Sequence, residues 1–173
     1  MMYWGKTMDR IIKQAGLLGI FVLVLALAVS AEPLDLPEPQ ATDTCPVCGM
    51  FVAKYRPWVA TVLYRDGHAH HFDGTKDMFK YLHDMPKWAP GHRSEDIDRI
   101  GVTEYYGLSR IDAHQAYYVI GSDVRGPMGH ELIPLESEAD ATEFLQDHAG
   151  KRILRFDQVS ADLLQKLDRG VFE

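Results

Sequence analysis

A chain of 173 residues with 25 acidic against 18 basic side chains has room for one domain or two small ones. Its balance excludes nucleic acid and anionic lipid as main partners, since both demand a basic footprint. Setting aside residues 1–31 removes Lys6, Arg10, Lys13 and Asp9, which leaves 15 basic and 24 acidic residues and a net charge of −9.

Residues 1–31 carry a basic start, an unbroken apolar run from Ala15 to Val29, and then Ser30, Ala31 and Glu32. This order is that of a secretory signal, with cleavage expected after Ala31. The run is marginal as a membrane span, so the alternative is an uncleaved membrane tether through residues 11–29. In either case the remaining chain is exported. About 140 residues remain, enough for a core without disulfide staples. Residues 32–43 hold three prolines and four acids and read as an extended Pro-rich tether.

The globular part spans 44–173. Trp58 to Tyr64 is β-branched and aromatic, Asp66-Gly67 is a hairpin turn, and His68 to Phe72 is the returning strand. Asp73 is placed to cap a helix that carries Met78, Phe79 and Leu82 on one face. A loop over 85–96 and a strand over 97–106 follow. The pattern then recurs, with a strand over 116–120, a turn at Gly126-Pro127-Met128-Gly129 and a strand over 131–135. Next come a helix opened by Ser137 and closed at Gly150, a strand over 153–156, and a terminal helix started by Ser160. These elements predict an α+β fold of two similar ββαβ units, about 44–106 and 107–173.

The chemistry concentrates in Cys45-Pro46-Val47-Cys48-Gly49-Met50, three sulfur side chains within six residues. A disulfide between cysteines three apart would close a tiny loop and add little, so the pair is there for chemistry. Thiolate and thioether are soft donors, and a set holding both selects copper(I) over hard cations. Gly49 permits the tight turn that brings Cys48 and Met50 to one ion. Met128, flanked by Pro127 and Gly129, sits where an exposed ligand belongs, whereas Met78 reads as packing. Two other uses of the cysteines stay open. One is structural zinc, with Cys45 and Cys48 joined by two of His68, His70 and His71. The other is a thiol-disulfide oxidoreductase, although Gly49, Val52 and Pro57 oppose the helix that usually activates its thiol. Among the histidines, one of His68, His70, His71 and His130 is a further candidate copper ligand, with His71 and His130 put forward. No catalytic triad, phosphate loop or carboxylate pair stands out, and the reading is of a carrier rather than an enzyme.

Taken in order, Cys48-Gly49-Met50, His70-His71-Phe72-Asp73 leading into Met78 to Leu82, Ala116 to Gly121, Gly126 to Gly129 with Glu131 to Pro134, and Phe144 to Gly150 resemble the NosL family. The likeness covers residues 44–157. It implies a monomeric periplasmic copper(I) chaperone of two ββαβ units that serves nitrous-oxide reductase, its copper–sulfide centre and its membrane ABC-type maturation complex. It also implies copper ligation by Cys48, Met50 and Met128, with Cys45 matching only those members that have a Cys-x-x-Cys-Gly-Met form. Family members are typically lipoproteins with a cysteine directly after the apolar signal. No cysteine precedes Cys45 here, so this chain is expected free in the periplasm or held by its N-terminal segment.

Overall fold

The computed structural model describes residues 34–173, so the expected signal or anchor lies outside the described residues. Among the described residues, no helix is long and apolar enough to cross a membrane.

Two antiparallel sheets form the molecule. The first has the order β2-β1-β3-β4, from β1 (Ala60–Tyr64), β2 (Ala69–Phe72), β3 (Ile97–Thr103) and β4 (Arg110–Asp112). Between β2 and β3 lie helix α1 (Thr75–His83) and the short α2 (Met85–Trp88). The second sheet has the order β6-β5-β7, from β5 (Tyr117–Ile120), β6 (Ile133–Leu135) and β7 (Arg152–Leu154). Helix α3 (Glu138–Asp147) joins β6 to β7, and α4 (Ala161–Asp168) ends the chain. In each unit the first strand is central, flanked by its hairpin partner and by the strand that follows the helix. The α+β architecture of two ββαβ units is thus as the sequence predicts. The additional strand β4 pairs with β3 and extends the first sheet.

The sequence explains how the layers stack. Successive strand residues face opposite ways, so Ala60, Val62 and Tyr64 turn one way from β1 into the main core, where Tyr118 and Ile120 of β5 meet them. Val119 faces the other side of β5 and joins Ile133, Leu135, Ala141 and Phe144 in a smaller cluster under α3. A strand buried on both faces reads as a continuous apolar run, which Tyr117 to Ile120 is.

Among the described residues, no α-helix covers the second face of the first sheet. Residues 34–43 are extended, as expected of a proline-rich stretch, and they are docked. A Cβ at Gly101 would lie 2.2 Å from the Leu36 side chain and 3.0 Å from that of Leu34, so the missing side chain makes the groove that these leucines fill. The Leu34 amide donates to the Arg110 carbonyl at 3.2 Å, Arg99 reaches the Asp35 carbonyl, and Glu38 pairs with both Arg56 and Arg110.

Two helix ends differ from expectation. Asp73 does not cap α1: the N-cap position is Gly74, and the Asp73 carboxylate is committed elsewhere. At the end of α3, the left-handed residue is Ala149 (φ 53°) rather than Gly150. The helix stops one residue earlier than its periodicity suggests, and the Gly150 amide closes the last turn on the Leu145 carbonyl at 2.8 Å. Gly150 answers to space instead, because a Cβ there would lie 2.7 Å from Val119. The other caps form as read: Ser137 and Ser160 accept from the Asp140 and Leu163 amides.

Ala149→Gly should relieve the left-handed strain and raise stability by about 0.5–1 kcal/mol, whereas Gly150→Ala should lower it by about 1–3 kcal/mol through overpacking. Urea unfolding of both variants checks the pair, and the opposite order of stabilities would refute this account of the turn.

Candidate metal centre

The sulfur segment folds as a closed loop. The Cys45 amide donates to the Met50 carbonyl at 2.8 Å, the Gly49 amide donates to the Cys45 carbonyl at 2.9 Å, and Thr44 bridges to Phe51. Gly49 has φ 78° with open space where a Cβ would be, so the turn needs glycine for conformation and not for room. Cys45 is buried, Cys48 and Met50 are half-buried, and both cysteines are free thiols.

Each thiol faces a carboxylate from the start of α1. Cys48 Sγ donates to Asp73 Oδ1 at 3.1 Å and Cys45 Sγ to Asp77 Oδ2 at 3.6 Å. One ligand atom from each of Cys45, Cys48, Asp73 and Asp77 lies within 4.8 Å of the others. Both aspartates are buried, and Asp73 Oδ2 has no hydrogen-bond partner. That oxygen and the two thiols together form a donor set that fits a cation. Sequence reasoning missed both aspartates as candidate ligands: Asp73 reads as a helix cap but lies just before the Gly74 N-cap, and Asp77 is a first-turn acid.

The reason Asp73 is available lies far along the chain. Glu131, 55 residues beyond Lys76, accepts from the Lys76 amide at 2.5 Å and from the Leu132 amide at 3.0 Å. It therefore serves as the cap of α1. Glycine is required on both sides of it: a Cβ at Gly74 would lie 2.4 Å from the Glu131 carboxylate, and one at Gly126 would lie 3.1 Å from the same side chain. Lys76, itself buried, donates from Nζ to the Met128 carbonyl at 3.0 Å and pairs with Asp168 at 3.0 Å. Gly126 and Gly129 exchange backbone bonds at 2.9 and 3.0 Å to close the turn. That turn is thereby fastened to the same helix end that faces the cysteines, and Met128 remains 43% exposed.

The histidines distribute otherwise. His71 is buried and shares a hydrogen bond with Thr61 Oγ1 at 2.9 Å, with Asp43 4.0 Å from its other nitrogen. His130 contacts Arg125 and stands edge-on to the Phe172 ring. Neither joins the cysteine cluster. The four-ligand zinc arrangement of Cys45 and Cys48 with hairpin histidines does not assemble either, because His68 and His70 gather with His92 and His71 is bonded to Thr61.

Electrostatics sets the resting state of the thiols. Burial pushes Cys45 up to about 12, with Asp77 and Asp73 adding to the rise against the local backbone donors. Burial likewise pushes Cys48 upward, reinforced by its bond to Asp73. This is the reverse of the depressed thiol pKa on which disulfide exchange depends, and neither cysteine stands at a helix N-terminus.

The family model for NosL matches residues 37–164. The chain belongs to the NosL family. It is 28% identical over 153 residues to a protein named copper-binding lipoprotein NosL from Stutzerimonas stutzeri, covering 79% of this chain and 70% of that one. The fold matches the crystal structure of the copper chaperone NosL from Shewanella denitrificans with a TM-score of 0.60 at 23% identity, over 75% of this chain and 98% of the other. Within this NosL chain, the sulfur loop, the start of α1 and the Gly126–Gly129 turn all fall inside the matched region.

The Glu131 cap makes a sharp prediction. Burial lifts its carboxyl up to about 8, against the pull of the Leu132 amide and the Lys76 ammonium. A folded pKa above the unfolded one means that its contribution is complete below about pH 4 and is lost as pH rises through 8. The difference in unfolding free energy between the native chain and Glu131→Gln should therefore shift against the native chain from pH 5 to pH 8. Glu131→Ala should cost about 2–4 kcal/mol, because two buried amides lose their partner. A difference between native chain and Glu131→Gln that stays flat across that range would rule out the buried titration.

Proposed function

We propose that this chain is an exported copper(I) chaperone in which Cys48, Met50 and Met128 hold the ion, with Cys45 as a further ligand. The observation that carries the reading is the joining of two distant segments at one helix end. The loop 45–50 meets α1 through Asp73 and Asp77, and the Met128 turn meets it through Lys76 and Glu131. Thiol and thioether side chains carried by segments that meet one helix end favour a soft monovalent ion, and the relatives are named for copper.

Copper is the cargo here, and the work of the chain is to receive, hold and release it. Asp73 and Asp77 keep the thiols neutral until the ion arrives, and then relay to solvent the protons that it displaces. Cys48, less buried than Cys45, meets the ion first; the exposed Met128 tip leaves one side of the site open for a partner's ligands. Exchange of ligands on a shared ion breaks no covalent bond of substrate, so the proposed role is non-catalytic. By family likeness, the acceptor is nitrous-oxide reductase with its membrane ABC-type maturation complex, and the location is the periplasm.

Two measurements test this reading. Binding must expel thiol protons that are held more firmly than in a free cysteine, so copper(I) affinity should climb about tenfold per pH unit for each proton released. It should show no plateau between pH 8 and 9, where an ordinary thiol would finish titrating. Competition against a chromophoric copper(I) chelator under anaerobic conditions follows it. In the same assay Met128→Leu should weaken copper(I) retention at least tenfold while zinc(II) binding stays nearly unchanged. An unaltered copper(I) affinity in Met128→Leu would overturn the three-sulfur site.

A further inference from the structure

A second group of metal-ligand side chains lies outside the sulfur site. His68 and His70 sit two residues apart on one face of the β1–β2 hairpin, and His92 enters from the loop between α2 and β3. One nitrogen from each of the three rings lies within 4.8 Å of the others. The His68 and His92 rings are stacked at 5.0 Å with a 14° interplanar angle, and His70 stands edge-on to both at 4.6 and 5.2 Å. His68 is exposed and free to turn toward solvent, yet its ring faces the other two.

The surroundings are built to hold these rings. Tyr64 lies beneath them, with its ring 4.3 Å from that of His92 and 5.9 Å from that of His70. His70 Nδ1 shares a 2.6 Å hydrogen bond with Tyr81 Oη, which is bonded in turn to Tyr64 Oη. Such a partner on one imidazole nitrogen fixes the ring and leaves the other, Nε2, for a ligand role. Asp66 holds the His68 amide at 2.9 Å. On the other side, the Arg65 amide donates to the Asp96 carbonyl at 2.9 Å and the His92 amide to the Ala89 carbonyl at 3.0 Å, which orders the loop carrying the third ring.

We propose that His68, His70 and His92 form a second metal site, all nitrogen, for one divalent ion of the zinc(II)–copper(II) class. Three imidazoles with an open side for water suit such borderline ions and lack the sulfur that copper(I) favours. The site shares no residue with the sulfur loop. The two stand at opposite ends of β2, with His70 three residues and about 10 Å of extended chain before Asp73.

The test uses the full chain carrying Cys45→Ser and Cys48→Ser, which removes the thiols that would reduce copper(II). Titration with zinc(II) should give one equivalent bound, and copper(II) should give an electron paramagnetic resonance spectrum split by imidazole nitrogens. Adding His92→Ala should lower zinc(II) affinity at least tenfold and erase that splitting. Adding Tyr81→Phe should lower affinity by about 10–100-fold with the three histidines intact. Native chain preloaded with one equivalent of copper(I) gives the same zinc(II) readout without dependence on the serine variants. Absence of a zinc(II) equivalent in both forms, or its persistence after His92→Ala, would overturn the proposal. Loss of copper(I) binding alone would bear on the sulfur site and leave this one standing.

Discussion

The capping of α1 by Glu131 is the interaction on which the rest of the molecule depends. A helix start leaves amides without partners, and the sequence offers Asp73 as the local remedy. Borrowing a carboxylate from the second unit leaves Asp73 free to face a thiol, and Lys76, whose amide that carboxylate accepts, holds the Met128 turn against the helix. Gly74 and Gly126 make the approach of that carboxylate sterically feasible. One buried acid thus closes the interface between the two units and arranges the candidate site. The cost of desolvating it shows in its raised pKa.

The two units share a topology but differ in how each sheet finishes its outer face. The second uses α3, whose Ala141 and Phe144 close over Val119, Ile133 and Leu135. In the first, α1 is taken up with the main core, with Met78 and Phe79 fully buried there, and residues 34–43 cover the opposite face. His71 belongs to that covered face, where it pairs with Thr61, and this is why a histidine inside a family-like segment ends up away from the sulfur loop.

Much of the fold was legible in the chain itself. Two rounds of strand, turn, strand, helix and strand stood out because alternating and helical apolar spacings differ, and Ser137 and Ser160 marked helix starts because their caps are local. Contacts that cross long stretches of sequence were not legible. Nothing near Glu131 says that it caps a helix 55 residues earlier, and nothing near His92 places it beside His68 and His70. The sulfur loop was readable because its donors are adjacent in sequence. Asp73 was hidden by looking like a helix cap, and Asp77 by looking like an ordinary first-turn acid. Gly150 misled because glycine after a helix usually marks the left-handed residue, and here Ala149 takes that conformation while Gly150 yields space to Val119.

The docked segment 34–43 has a mechanical consequence. It runs along β3 and β4 and ends at Asp43, whose carbonyl accepts the Val52 amide just past the sulfur loop. Tension arriving from upstream would be met first by the seating of Leu34 and Leu36 over Gly101 and by the Glu38 pairs with Arg56 and Arg110. Those contacts would have to shear before any pull reached Cys45. The docked segment thus fixes the entry to the sulfur loop, so that the geometry at Cys45 is set by contacts made within residues 34–173.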